Sequence, residues 1–147
     1  MMSEQKKISV CFTADQFEKY ADEKSTVVVV DLLRATSVIS TAFMEGVVAI
    51  IPVQTIDEAL SYKDKEGYIV AAERNAKPIE GFDYGNSPFH YINADVKGKT
   101  LVLTTTNGTK AIHNAREHKV ITASYINIEV VAKYLIEEHN DVIILCS

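Results

Sequence analysis

Three short stretches concentrate the residues that can do chemistry. The first, DLLRATS, sets Asp31 and Arg34 just ahead of Thr36 and Ser37. A carboxylate in that position suits Mg²⁺, an ion usually held by one or two carboxylates plus water and phosphate oxygens. Arg34 offers a planar fork for phosphate or sulfonate oxygens. The second, TTTNGT, surrounds Asn107-Gly108 with Thr104, Thr105, Thr106 and Thr109. Hydroxyls donate hydrogen bonds without adding charge, and Gly108 lets the backbone come close to a ligand. The third, ERNAKPIEGFDYGNSPFHY, supplies Glu73, Arg74, Asp83, Asn86, Ser87 and His90, with turns at Gly81, Gly85 and Pro88. Carboxylates beside arginine and amide donors can hold a metal and an oxyanion together. Each stretch also has a purely structural reading: an Asp31–Arg34 ion pair, threonine capping, and surface turns.

Other chemistries are missing from the pattern. There is no Ser/His/Asp order, no Cys/His pair, no Gly-x-Gly-x-x-Gly and no Walker spacing. His113, His118 and His139 fall at no useful metal spacing and are expected to face solvent. Cys11 and Cys146 sit in apolar runs and read as buried free thiols. The net charge of -5 argues against a nucleic-acid partner, whose binding rests on a basic face. It leaves room for a local anion site. Acidic residues, arginines and an anion cradle together favour metal-assisted chemistry on a small phosphorylated substrate.

These clusters need elements to position them. ISVCF, TVVVVD, VVAIIPV, YIVAA, TLVLT, VITA and DVIILCS read as strands. Between them, Asp15–Glu23, Thr36–Glu45, the stretch after Thr55, Gly108–Glu117 and Ile128–Glu138 read as helices. The alternation predicts an α/β fold: a mostly parallel sheet with helices on both faces. Ligands then bind at the carboxyl ends of strands, where Asp31 and the threonines fall. Asn-Gly is a strong hairpin signal, but the helical pattern after Gly108 favours a strand-to-helix loop. That helix start would add free N–H groups to the anion cradle.

A shift of 73 residues aligns Thr36 with Thr109, Ala42 with Ala115, Val47 with Val120 and Ala59 with Ala132, a hint of two similar βαβα halves. The 147 residues correspond to one domain. No run is long enough to span a membrane and MMSEQKK leads into too short an apolar stretch for a signal peptide, so the expected compartment is the cytoplasm. A buried strand at the end, VIILCS, predicts that the chain is the N-terminal part of a longer fold. The sheet edge it leaves would favour homo-oligomers.

VVVVDLLRATSVISTAF, AAERNAKPIEGFDYGNSP and LTTTNGTKAI, in that order, resemble the motifs of 2-phosphosulfolactate phosphatases, the ComB family. The resemblance runs over nearly the whole chain. It implies a Mg²⁺-dependent phosphatase that converts 2-phospho-3-sulfolactate to 3-sulfolactate and phosphate, a step toward coenzyme M. Carried over by motif, Asp31, Arg34, Glu73, Arg74 and Asp83 are the expected catalytic residues, with Asp31, Glu73 and Asp83 on the metal. Asn86, Ser87, Thr105, Thr106, Asn107, Gly108 and Thr109 are the expected substrate contacts. Ala72 and Ala76 stand where the family pattern has glycine. The alternatives are a phosphate- or sulfonate-binding fragment without turnover, or a phosphatase of another small phosphorylated acid.

Overall fold

The computed structural model describes residues 6–75 and 77–147; Ala76 and its departure from the family pattern lie outside the described residues. The elements run β1 (Ile8–Cys11), a 3-10 turn (Ala14–Lys19), β2 (Thr26–Val30), α1 (Ala35–Met44), β3 (Ala49–Pro52), α2 (Ile56–Leu60) and β4 (Tyr68–Arg74). They continue with β5 (Lys77–Pro78), a second 3-10 turn (Pro88–His90), β6 (Thr100–Thr104), α3 (Gly108–Asn114), β7 (Lys119–Ala123), α4 (Ile128–Glu137) and β8 (Val142–Cys146). The fold is α/β and its strand pairing is parallel, except for the short antiparallel pair of β4 and β5. The helix at Gly108 settles the Asn-Gly motif as a strand-to-helix loop.

The strands divide between two four-stranded sheets, in the orders β1-β8-β2-β7 and β3-β6-β4-β5. The alternation of side chains along each strand explains the layers. Val27 and Val29 of β2 pack with Ala111 and Ala115 at α3, whereas Val28 faces the other way with Val131 and Leu135 of α4. In the second sheet Leu101 and Leu103 of β6 meet Val38, Ile39 and Ala42 of α1, and Val102 faces Ala59 of α2. Ile112 of α3 packs into both central clusters, so α1 and α3 lie between the sheets. Burying each such valine or leucine stabilises the fold by about 1.5–3 kcal/mol.

The crossovers are reciprocal. β2 leads through α1 to β3 in the other sheet, and β6 leads through α3 to β7 in the first. Thr26 pairs with Val142 and Lys119; Thr100 pairs with Tyr68 and Ala49 in the same relationship. The two halves of the repeat therefore exchange sheets. The equivalence of Thr36 and Thr109 holds at the starts of α1 and α3. The ladders match Ala49 to Lys119 rather than Val47 to Val120, because α3 has seven residues against ten in α1. Ala59 is buried and Ala132 exposed, so that identity carries no common packing role.

Cys11 is buried and Cys146 half-buried, both as free thiols. His118 corrects the expectation of a solvent-facing ring. It packs edge-on against Phe17, with centroids 5.2 Å apart, because α3, which His118 follows in the chain, packs against the first 3-10 turn. No helix among the described residues is long and apolar enough to cross a membrane.

Candidate active site

Two threonines fix two loops in the same way. At the end of β2 the Thr36 hydroxyl accepts the Asp31 N–H at 3.0 Å and donates to the Asp31 carbonyl at 2.8 Å. At the end of β6 the Thr109 hydroxyl accepts the Thr105 N–H at 3.2 Å and donates to the Thr105 carbonyl at 3.0 Å. Both threonines are buried. Each hydroxyl thus closes the chain reversal between a central strand and a helix lying between the sheets. Asp31 and Thr105 occupy equivalent places, so the repeat contributes a carboxylate from one half and a hydroxyl from the other.

The Asp31 side chain is 8% exposed and accepts hydrogen bonds from the backbone N–H groups of Ala35 and Gly108, the first residues of α1 and α3. Burial pushes its carboxyl above the usual 3.8, and the charge of Glu73 adds to this. The two N–H donors and Arg34 pull the other way. Gly108 makes its close approach to this carboxylate: a Cβ there would stand 2.6 Å from Asp31 Oδ2.

Glu73, near the end of β4, is 7% exposed. Its carboxylate accepts the Thr106 hydroxyl at 3.2 Å and the Thr106 N–H at 3.5 Å. Asn86 is 6% exposed, and its Oδ1 has no hydrogen-bond partner among the described residues. Asp31, Arg34, Glu73, Asn86, Thr106 and Asn107 line one cleft of about 640 Å³, together with Leu33, Asn75 and Ser147. No ion pair joins Asp31 to Arg34 among the described residues, so the structural reading of that pair does not hold.

Other expected residues lie elsewhere. Asp83 is exposed in a separate cavity, and its Oδ2 accepts the Val70 N–H at 2.9 Å. The bridge between Ala71 and Tyr84 draws this part of the loop alongside β4 and away from the cleft. Among the described residues no group of three His, Cys, Asp or Glu is positioned to hold a metal, so the expected trio of Asp31, Glu73 and Asp83 is not assembled. Ser87 is half-buried where the second 3-10 turn begins; Asn86 forms the cleft wall there. Thr105 and Thr109 spend their hydroxyls on the loop itself, while Arg74 turns to a neighbouring cavity. Ala72 is fully buried and donates its N–H to Tyr84, which leaves its methyl group inside the sheet packing.

Leu33, Asn75 and Ser147 were not among the residues expected at the cleft. Asn75 follows the Glu73-Arg74 pair with φ +54°, a conformation in which asparagine is enriched. Ser147 follows β8, which pairs with β2 as β4 pairs with β6.

Comparison with known proteins gives the same family throughout. The family described as 2-phosphosulpholactate phosphatase matches residues 11–147. A probable 2-phosphosulfolactate phosphatase of Thermotoga petrophila is 48% identical over 125 residues, covering 85% of this chain and 54% of its own length. One of Clostridium novyi is 45% identical over 144 residues, covering 96% of this chain and 61% of its own. One of Clostridium acetobutylicum is 43% identical over 142 residues, covering 95% and 60%. The chain thus spans about half to three-fifths of the length of these curated relatives. With a family match from residue 11 to residue 147 and relatives 43–48% identical over most of its length, the chain belongs to the 2-phosphosulpholactate phosphatase family.

Proposed function

We propose that the cleft hydrolyses a small phosphate monoester with Mg²⁺ as cofactor, and that its substrate is 2-phospho-3-sulfolactate. The observation that carries this reading is the convergence of Asp31, Glu73 and Asn86 on one cleft that also holds Arg34, with the buried Asn86 Oδ1 unpartnered among the described residues. A buried amide oxygen without a donor calls for a cation or a donor from a ligand. Two carboxylates and an amide oxygen form a hard donor set that fits Mg²⁺. Asp31, Glu73 and Asn86 would hold the ion, which when bound supplies Lewis acidity toward phosphoryl oxygens.

The chain's own residues do the rest. The N–H groups of Ala35 and Gly108 hold the Asp31 carboxylate in one orientation, and Thr106 does the same for Glu73. Arg34 presents its fork to the phosphoryl oxygens. Fixed donors and charges of this kind stabilise developing charge without reorganising during reaction. On this reading the protein works in the cytoplasm, and its product leads toward coenzyme M.

The test is release of inorganic phosphate from 2-phospho-3-sulfolactate, with and without Mg²⁺, by the 147-residue chain and by its Glu73→Gln variant. Mg²⁺-dependent release that the substitution abolishes supports the reading. A second reading is binding of a phosphate or sulfonate ligand without turnover. Binding of 3-sulfolactate with no release would establish that second reading and overturn the first.

A further inference from the structure

Asn86 lines the cleft, and its buried Oδ1 has no partner among the described residues. The residue before it, Gly85, is buried, and side chains that follow it in the chain hold both of its backbone groups. The Gly85 N–H donates to His90 Nδ1 at 3.1 Å. The Gly85 carbonyl accepts the Tyr91 hydroxyl at 3.1 Å. The turn that carries both side chains is closed in its own right. The His90 N–H donates to the Ser87 carbonyl at 3.0 Å, and the Tyr91 N–H to the Pro88 carbonyl at 3.1 Å. Residues 85–91 thus bend back on themselves, with Asn86 inside the closed segment.

The closed segment is also anchored. Tyr91 is fully buried and its ring stacks on Tyr84. The Tyr84 carbonyl accepts the N–H of Ala72, the residue before Glu73, at 3.2 Å. Asn86 and Glu73 therefore take their places from one junction between β4 and the loop. His90 lies outside the cleft: it is exposed and lines the cavity that holds Asp83. Its Nδ1 accepts a hydrogen bond, so the neutral ring carries its proton on Nε2. Without this acceptor the buried Gly85 N–H would bear the full cost of desolvation. The peptide escapes that cost by turning, and Asn86 turns with it.

We propose that His90 and Tyr91 are positioning residues for Asn86: from outside the cleft they hold Gly85 at its N–H and its carbonyl, and so set the amide oxygen that the cleft offers to a cation. The cation rests on the phosphatase reading; the hold on Asn86 does not. A side chain that acts through an acceptor atom can be replaced by another neutral acceptor in the same place. The Oδ1 of Asn is bonded to Cγ as the Nδ1 of His is, and it accepts; the methyl group of Ala does not.

The experiment uses the ¹⁵N-labelled 147-residue chain, first without metal and then titrated with Mg²⁺. In mildly alkaline, metal-free solution, long-range ¹H–¹⁵N spectra are expected to show His90 protonated at Nε2 and bare at Nδ1. His90→Ala should shift the side-chain amide signals of Asn86, and His90→Asn should return them toward the parent positions. In the titration, His90→Ala and Tyr91→Phe are each expected to raise the Mg²⁺ Kd about three- to tenfold, the size of one lost hydrogen bond. His90→Asn should restore it. Phe89→Ala removes an 82% exposed ring from the same turn and is expected to leave both the Asn86 signals and Kd unchanged. Should Tyr91→Phe fail to fold, the exposed His90 decides. Asn86 signals that ignore His90→Ala, a His90→Asn variant that behaves like His90→Ala, or a Phe89→Ala variant that matches it each overturn the proposal. A parent chain that binds no Mg²⁺ refutes the cation reading, and the metal-free spectra still decide the positioning role. Mg²⁺ binding that His90→Ala leaves unchanged does the reverse.

Discussion

The carboxylate of Asp31 rests against the backbone of Gly108. A methyl group on Gly108 would lie 2.6 Å from Asp31 Oδ2 and 2.4 Å from the Cβ of Ala35. The contact joins the junction after β2 to the junction after β6, the two halves of the internal repeat. It also allows the Gly108 N–H to reach the carboxylate.

Gly108→Ala is therefore expected to destabilise the chain by about 1–3 kcal/mol, the usual cost of overpacking a well-filled site. It should also displace Asp31 and abolish phosphate release. Urea unfolding and the phosphate assay read the two effects. Adding Ala35→Gly removes the 2.4 Å clash but not the one with Asp31. The double variant should regain stability without regaining activity.

Asp31 carries a pH-dependent cost. Its folded pKa lies above the ordinary value, so the folded chain keeps this proton to higher pH than the unfolded chain does. The cost is absent below the ordinary value of 3.8, grows through the interval up to the folded pKa, and is complete above it. In the presence of a chelator, Asp31→Asn should accordingly melt at a higher temperature than the parent at neutral pH. The gap should narrow as the solution is acidified toward the ordinary value. An unchanged gap from neutral to acidic pH would contradict the burial argument.

Thr36→Val and Thr109→Val remove hydroxyls of equivalent place and nearly unchanged volume. Each substitution leaves a strand-end N–H, that of Asp31 or Thr105, without its acceptor. Each is expected to cost about 1–3 kcal/mol in urea unfolding, with little change in slope. A neutral result at one site alone would break the equivalence of the two junctions.

Mg²⁺ should stabilise the parent chain by mass action, about 2.7 kcal/mol at one hundred times its Kd. Thermal melting with and without the ion reads this without any need for turnover. Glu73→Gln and Asn86→Leu should lose most of the shift, whereas Asp83→Asn should keep it, since Asp83 lies in a separate cavity. Loss of the shift in Asp83→Asn alone would refute the placement of the cation.

The stretch from Glu73 onward takes its shape from contacts outside itself. Its composition offers Glu73, Arg74, Asp83, Asn86, Ser87 and His90 alike. Among the described residues of this stretch, Glu73, Asn75 and Asn86 line the cleft. The choice is made by contacts with distant parts of the chain. Tyr84 bridges to Ala71, its ring stacks on Tyr91 at 5.2 Å, and the Tyr91 hydroxyl donates to the Gly85 carbonyl. These fix the loop with Asp83 on the Val70 N–H and Asn86 in the wall of the cleft.

By itself the sequence determined the α/β class, the central strands, the helix at Gly108 and the residues from which a site would be built. The reason is local: apolar runs and 3.6-residue periodicity report burial along one element. Tertiary structure alone decided that the strands form two sheets, that the repeat exchanges segments between them, and that Asp31 meets Gly108. It also decided that Arg74 lines a cavity apart from the cleft of Asp31 and Glu73. Those outcomes depend on which distant strands pair and how helices pack between them, and a one-dimensional pattern holds no record of such pairings.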